Sequence, residues 1–383
     1  VALDIPEEHD ASAPARRGFL ARNAGKFSAS AVITVGIWYT LHKGGLKFLP
    51  EGGDFVHVRW WTIPVYVGLL SVHTWYRSIR WRFLLNSIAH VPKRRLLAVS
   101  WVGFAAILLL PFRIGEIVRP YLIRTRGAAR SSTAPGSRPI TLTAATSSVV
   151  AERVIDGLYL SIVLAIALVL VPTVHPLPEH VAGLPVSVAK VRLSGYLMLF
   201  AFAAAFGVIA VFYSARSWAH RVTVAILSKL STPLAERVSH AFEKFADGLH
   251  VLSRGRDALG FMTETSLYWG LNAAGMWLLA WGCGVVHADG SSPTFGEAFS
   301  LMGMLGCAVL IPGPPGLLGV FQAGLYAAMT MYYPTSVVTG PGAAFVFLLY
   351  AVQFLFTMIT GGLGLLMERG SLAEIERAAQ VQI

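Results

Sequence analysis

The stretch Pro111-Phe112-Arg113-Ile114-Gly115-Glu116-Ile117-Val118-Arg119-Pro120 follows directly on the apolar run from Trp101 to Leu110, so two arginines and a glutamate stand where proline breaks a hydrophobic segment. A charged side chain at bilayer depth costs about 2.5–3.5 kcal/mol or more, and irregular backbone there survives only where protein or a water-filled cavity satisfies it. The stretch reads as the lining of a polar site inside a membrane protein.

Composition supports that class. Of 383 residues, 55% are hydrophobic and only 13% charged, and the mean hydropathy is +0.61, which does not describe a soluble globule. The net charge of +11 raises nucleic acid as a partner. The arginines flank apolar runs, however, and no zinc-finger, RNP or basic-helix pattern is present, so an anionic lipid is the better partner and nucleic acid is set aside. Cys283 and Cys307 lie inside apolar segments and read as small hydrophobes, with no disulfide, metal or cofactor implied.

A membrane span needs about 20 apolar residues. Clear candidates are Trp60–Leu85, Ile140–Val171, Leu193–Tyr213, Ala258–Val286 and Gly342–Met367, with a weaker first span at Phe27–Leu41. Leu96–Pro111 and Phe295–Pro312 are short and end in proline and glycine. Lys93, Arg94 and Arg95 precede the first short stretch, and Arg119, Arg124, Arg126, Arg130 and Arg138 follow it. Because lysine and arginine collect on the cytoplasmic side, a re-entrant hairpin keeps both clusters inside where a full span does not. The arginine-poor loop Pro172–Ala189 then faces out, and the basic loop from Arg216 to Arg256 faces in.

The predicted fold is therefore an all-α polytopic membrane protein of two inverted-topology repeats. Each repeat carries a re-entrant helical hairpin, giving six spans plus two hairpins, with eight complete spans as the alternative. The expected organisation is a polar N-terminal tail (1–27), a first membrane repeat (28–190) with a hairpin near 96–120, a second repeat (191–367) with a hairpin near 295–330, and a cytoplasmic C-terminal tail (368–383). The second repeat also holds an amphipathic helix (228–252), with Leu230, Leu234, Val238, Phe242, Phe245 and Leu249 at helical spacing. Both termini are expected in the cytoplasm.

Arg113, Glu116 and Arg119 are spaced i, i+3, so a helix beginning after the proline sets all three on one face. Arginine forks flanking a carboxylate suit a phosphate; the competing reading is an internal salt-bridge triad that closes the hairpin. Glu152 and Asp156 share a face at i, i+4 beside Arg153, and such carboxylates repel unless an arginine or a proton resolves them. That makes them candidates for proton coupling, or for a buried clamp between this span and the hairpin. Arg77 and Arg82 read as interfacial anchors of a helix end, while Arg80 is contested between anchor and site. Pro312-Gly313-Pro314-Pro315-Gly316, with Gly319 and Gln322 beyond it, interrupts any continuous helix and frees backbone groups to line a path for a headgroup. Glu264, Asn272, Glu297 and Gln353 read as interhelical contacts.

These pieces together resemble the lysylphosphatidylglycerol synthase transmembrane family of flippase-like proteins. The resemblance rests on Arg80-Trp81, on Leu110 through Arg119, on Glu152-Arg153-Val154-Ile155-Asp156, and on Pro312-Gly313 through Gly316 with Gly319-Val320-Phe321-Gln322. It runs from about residue 60 to 367. It implies a multi-pass protein of a prokaryotic inner membrane that moves lipids between leaflets; the expected cargo is an anionic or phosphate-containing lipid, aminoacylated and glycosylated forms included, and a partner lipid synthase is a further expectation. Arg80, Arg113, Glu116, Arg119, Glu152, Arg153, Asp156, Pro312, Gly313, Gly316, Gly319 and Gln322 are the expected substrate-binding residues, and no catalytic residue is expected. Gln322 stands where family members usually carry glutamate, and no large soluble aminoacyl-transferring domain follows Met367 in this sequence. The rivals are a lipid-modifying phosphatase or transferase, which wants a nucleophile or general base beside the arginines, and a scaffold for a synthase.

Overall fold

The computed structural model describes residues 24–86, 89–130, 140–180, 187–228, 231, 236, 255–310 and 314–368. These residues form helices, with no strand among them. The expected tail 1–27 and the C-terminal tail lie almost wholly outside the described residues, as do nearly all of the amphipathic segment 228–252, Pro312 and Gly313.

The helices are α1 (Ala24–Lys43), α2 (Thr62–Ile79), α3 (Trp81–Leu85), α4 (Lys93–Leu109), α5 (Val118–Arg130), α6 (Leu142–Leu170) and α7 (Val188–Ser214). After them come α8 (Arg216–Leu227), α9 (Gly255–Gly282), α10 (Phe295–Leu310), α11 (Val320–Met329), α12 (Thr335–Thr339) and α13 (Pro341–Glu368). Among the described residues, three are long and apolar enough to cross a membrane: Leu142–Leu170, Val188–Val208 and Pro341–Glu368. The expected spans around 60–85 and 258–286 are helical but more polar, because α2 carries His73 and Arg77 and α9 carries Arg256, Asp257 and Glu264. Some of that polarity meets a partner across the packing: Asn272 of α9 lies 3.4 Å from His73 of α2, and Glu264 of α9 accepts from Arg82 of α3.

Small residues set the close approaches, as expected where hydrocarbon supplies no drive for helices to associate. A Cβ on Gly361 would overlap the Ala105 side chain, and one on Gly364 would sit 2.7 Å from the Ala98 carbonyl, so α13 and α4 pack backbone to backbone in antiparallel sense. Gly275 stands over Tyr66 and Gly282 over Thr62 between α9 and α2. Gly303 and Gly306 of α10 receive Leu164 and Leu160 of α6. The Thr141 hydroxyl caps α6 by accepting from the Ala144 N–H at 3.2 Å.

The two proline-broken segments both double back. After α4 the chain runs through a 3-10 turn (Pro111–Ile117) into α5. Gly115 then lies on the Ala106 backbone, Gly103 lies under the Arg119 stem, and Arg95 reaches the Leu122 and Ile123 carbonyls at 3.4 and 3.3 Å. The expected α-helical start after Pro111 is thus a 3-10 turn instead: proline fixes the entry, and the tighter winding lets Gly115 nest against α4. In the second segment α10 reaches α11 through a short 3-10 turn (Pro315–Leu317). Gly324 opposes Ala308, and Tyr332 donates to Ser300 at 2.6 Å. Gly316 and Gly319 sit at φ 73° and 86°, a left-handed region that only glycine enters at low cost.

The close nesting of the first turn yields a prediction. Gly115→Ala forces the turn off the Ala106 backbone and lowers unfolding stability by about 1–3 kcal/mol. Gly362→Ala, which meets nothing within 4 Å, leaves stability unchanged or raises it by about 0.5–1 kcal/mol through helix propensity. Unfolding of both variants in mixed micelles checks the contrast.

Candidate functional site

Arg80 sits at the junction of α2 and α3, fully buried, and spends its guanidinium on three partners. Nη1 donates to Asp156 Oδ1 at 2.6 Å and to Thr265 Oγ1 at 2.9 Å, while Nη2 donates to Asp156 Oδ2 and, at 3.1 Å, to Glu152 Oε1. Its face also rests on Tyr268, 4.7 Å from the ring centre. Arg119, from α5, is equally buried and meets Glu152 through Nη1 at 3.3 Å and Nη2 at 3.2 Å. Its guanidinium lies 4.3 Å from the Trp81 ring centre, and Trp81 is itself held by donation to Ser148 at 3.0 Å. Arg153 completes the set at 3.9 Å from both Glu116 and Asp156.

Three guanidiniums and three carboxylates therefore share one cluster. It joins α2, the first turn with α5, α6 and, through Thr265, α9. Such charges persist away from water only when paired and hydrogen-bonded. The expected side-by-side set of Arg113, Glu116 and Arg119 is distributed differently: Arg119 turns to Glu152 while Glu116 meets Arg153. The Arg113 side chain lies outside the described residues. The repulsion expected between Glu152 and Asp156 is resolved by arginines, chiefly Arg80 and Arg119.

The glycine-rich turn divides its expected residues. Gln322 is buried and accepts from the Gly319 N–H at 2.7 Å, capping α11. A glutamate would make the same bond, because the cap uses only an acceptor oxygen. Gly316 accepts from Tyr350 Oη at 3.0 Å, and a Cβ there would press on that hydroxyl at 2.8 Å.

Gly316 also faces a cavity of about 230 Å³ walled by residues from both halves of the chain, among them Arg77, Trp269, Asn272, Gly316 and Gln353. Arg77 is the arginine on this wall. Its guanidinium lies 4.0 Å from the Phe104 ring centre, and no carboxylate among the described residues forms an ion pair with it. Arg77 Nε and Trp269 Nε1 are buried without a hydrogen-bond partner among the described residues. Gln353 donates to Tyr66 Oη at 2.8 Å, the interhelical contact expected of it, yet it also lines the cavity. Arg77 was expected as an interfacial anchor. The overlooked signal is spacing: Tyr66, Leu70, His73, Arg77 and Arg80 recur at three and four residues, so a buried Arg80 carries Arg77 inward with it.

A separate group holds the loop before α10. His287 Nε2 lies 2.7 Å from Glu297 Oε1, Tyr333 donates to Glu297 Oε2 at 2.7 Å, and Ser291 Oγ lies 3.0 Å from His287 Nδ1. The arrangement has the outline of a serine–histidine–acid relay. However, the Ser291 hydroxyl donates to Asp289 at 2.7 Å, and Nδ1 also faces the Ser291 carbonyl at 3.1 Å. A ring nitrogen turned to a carbonyl carries hydrogen and takes no proton from the serine, so the group ties the loop to α10 and the end of α11.

Fold and site define a multi-pass helical membrane protein with a neutralised buried ion cluster beside an arginine-bearing cavity. The chain belongs to the family described as the lysylphosphatidylglycerol synthase TM region, whose family model matches residues 25–361. The role that membership carries is membrane-based and lipid-related. No curated protein and no solved structure matches the chain significantly.

The cluster makes a stability prediction. Glu152→Gln strands Arg119 and weakens Arg80, and costs about 3–5 kcal/mol, the range for breaking a buried pair. Glu51→Gln, at an exposed pair with Lys47, costs less than about 1 kcal/mol. Unfolding of the two variants in mixed micelles checks the ranking.

Proposed function

We propose that this protein is a flippase-type transporter that passes a phosphate-bearing lipid headgroup between the two leaflets of a prokaryotic inner membrane. The observation that carries this reading is the cavity of about 230 Å³ with Arg77 on its wall. A cation at membrane depth is costly unless something compensates it. Arg80, Arg119 and Arg153 have that compensation inside the protein; Arg77 is left for a visitor. Family membership supplies the lipid context.

The two doubled-back segments support a re-entrant architecture. At 1.5 Å per residue, the 17 residues of α4 reach about 25 Å and the 10 of α11 about 15 Å, short of a hydrocarbon core about 30 Å thick. We read them as hairpins entering from opposite faces, one in each inverted repeat, with the cavity where their walls meet. Rocking of the halves then exposes Arg77 alternately to each leaflet, while acyl chains stay in the membrane. Within this reading the substrate-facing role moves to Arg77 and the Gly316 turn. Arg80, Arg119, Glu152, Arg153 and Asp156 hold the wall, and their pairing favours a clamp over proton coupling. The described lining offers amides and hydroxyls, with neither histidine nor carboxylate to activate them, which favours transport over lipid chemistry.

In proteoliposomes carrying a fluorescent phospholipid, the protein accelerates exchange between leaflets over empty vesicles, and Arg77→Ala slows it at least about tenfold, the scale of one lost charge-assisted contact. Equal rates in empty vesicles, or an undiminished rate in Arg77→Ala, contradict the proposal.

A further inference from the structure

We infer that the cavity admits a lipid headgroup that carries a phosphodiester and no amine, and discriminates against aminoacylated lipid. This inference rests on the transport reading and names the substrate class for the same cavity.

Two independent features of the wall point the same way. The first is charge. The neighbouring cluster balances three guanidiniums with three carboxylates, so Arg77 is the uncompensated charge that the described wall presents. One phosphodiester neutralises it. An aminoacyl headgroup brings at least one ammonium as well, and the described lining contains no aspartate or glutamate to receive it. The carboxylates on α6 and α9 that pair with α2–α3 arginines are committed: Glu152 and Asp156 to Arg80, and Glu264 to Arg82. The amide and hydroxyl oxygens on the wall accept hydrogen bonds from an ammonium but supply no charge to balance it, and a charge enclosed without a counter-charge is disfavoured.

The second is hydrogen-bond sense. The unmatched groups on the wall, Arg77 Nε and Trp269 Nε1, are both donors. They call for acceptor oxygens, which a phosphate supplies and an ammonium, with three donors and no acceptor, does not. Asn272, Gln353 and Thr357 line the same space and suit the hydroxyls of a polyol such as glycerol. Size agrees as well. A volume of about 230 Å³ lies below the roughly 300–1,000 Å³ of pockets that enclose drug-sized ligands, so it holds a headgroup and leaves the chains outside.

The test is equilibrium binding to the purified full chain in micelles, with short-chain phosphatidylglycerol, its lysyl ester and soluble glycerol phosphate as probes. Phosphatidylglycerol is expected to bind at least about tenfold more tightly than the lysyl ester. Arg77→Gln is expected to remove at least about tenfold of that affinity and Arg77→Lys less, given one point charge in place of the fork. Gln353→Glu, nearly isosteric and able to accept from the Tyr66 hydroxyl where Gln353 donates to it, is expected to raise affinity for the lysyl ester by about tenfold through a new carboxylate partner. Unfolding midpoints of the variants verify that each is folded.

Equal affinity of the native protein for phosphatidylglycerol and its lysyl ester overturns the inference, as does binding that Arg77→Gln and Arg77→Lys leave unchanged. Glycerol phosphate binding as tightly as the lipid overturns the lipid source. Arg77-dependent, amine-discriminating binding in a protein that moves no lipid sustains this assignment while transport fails. Lipid movement without discrimination does the reverse.

Discussion

The structure depends on a neutral knot of charge. Arg80 reaches from the end of α2 to Asp156 and Glu152 on α6, and Arg119 reaches from α5 to the same Glu152. One carboxylate thus ties a long helix, a doubled-back segment and a third helix at a single point. The pairs are mutually obligatory, because removing any member leaves its partner charged and buried. What the knot contributes is position: it orients the end of α2 and with it the face that carries Arg77 one turn earlier.

Around that point the packing is made by residues with little or no side chain. Gly103 admits the Arg119 stem, Gly115 admits the Ala106 backbone, and Gly361 with Gly364 lets α13 press on α4. Where a side chain is needed to hold a turn, it does so by a single bond, as Gln322 does for Gly319 and Tyr350 for Gly316. The cavity lies where these close contacts stop, bounded by α2, α4, α9, α10, α11, α13 and the Gly316 turn. Its apolar lining and few polar groups suit a headgroup that enters with its chains outside.

Much of this is visible in the residues. The break at Pro111, the charged run after it and the glycine-proline turn near 314–319 mark the places where the chain reverses. Glu152, Arg153 and Asp156 announce a buried ion site by standing in an apolar helix. Partner choice is another matter. Arg113, Glu116 and Arg119 are neighbours by spacing, yet Arg119 and Glu116 find their partners 33 and 37 residues away along the chain, on α6, because tertiary contact outweighs local register. Arg77 and Arg82 look alike at the end of a span, but three-residue spacing to Arg80 sends one inward, while Arg82 pairs with Glu264. Long helices also read as more apolar than they are when counted by length: Asn272 of α9 meets His73 of α2, and Glu264 of α9 meets Arg82 of α3.

On the proposed function, Arg77 faces the cavity for want of an internal partner and is completed there by the phosphate of a lipid. The most direct measurement is an experimental map of the protein in a bilayer disc containing phosphatidylglycerol. Headgroup density within hydrogen-bond reach of the Arg77 guanidinium and Trp269 Nε1 is the predicted result. A carboxylate of the chain itself occupying that position, with lipid density confined to the outer surface of the helices, contradicts it.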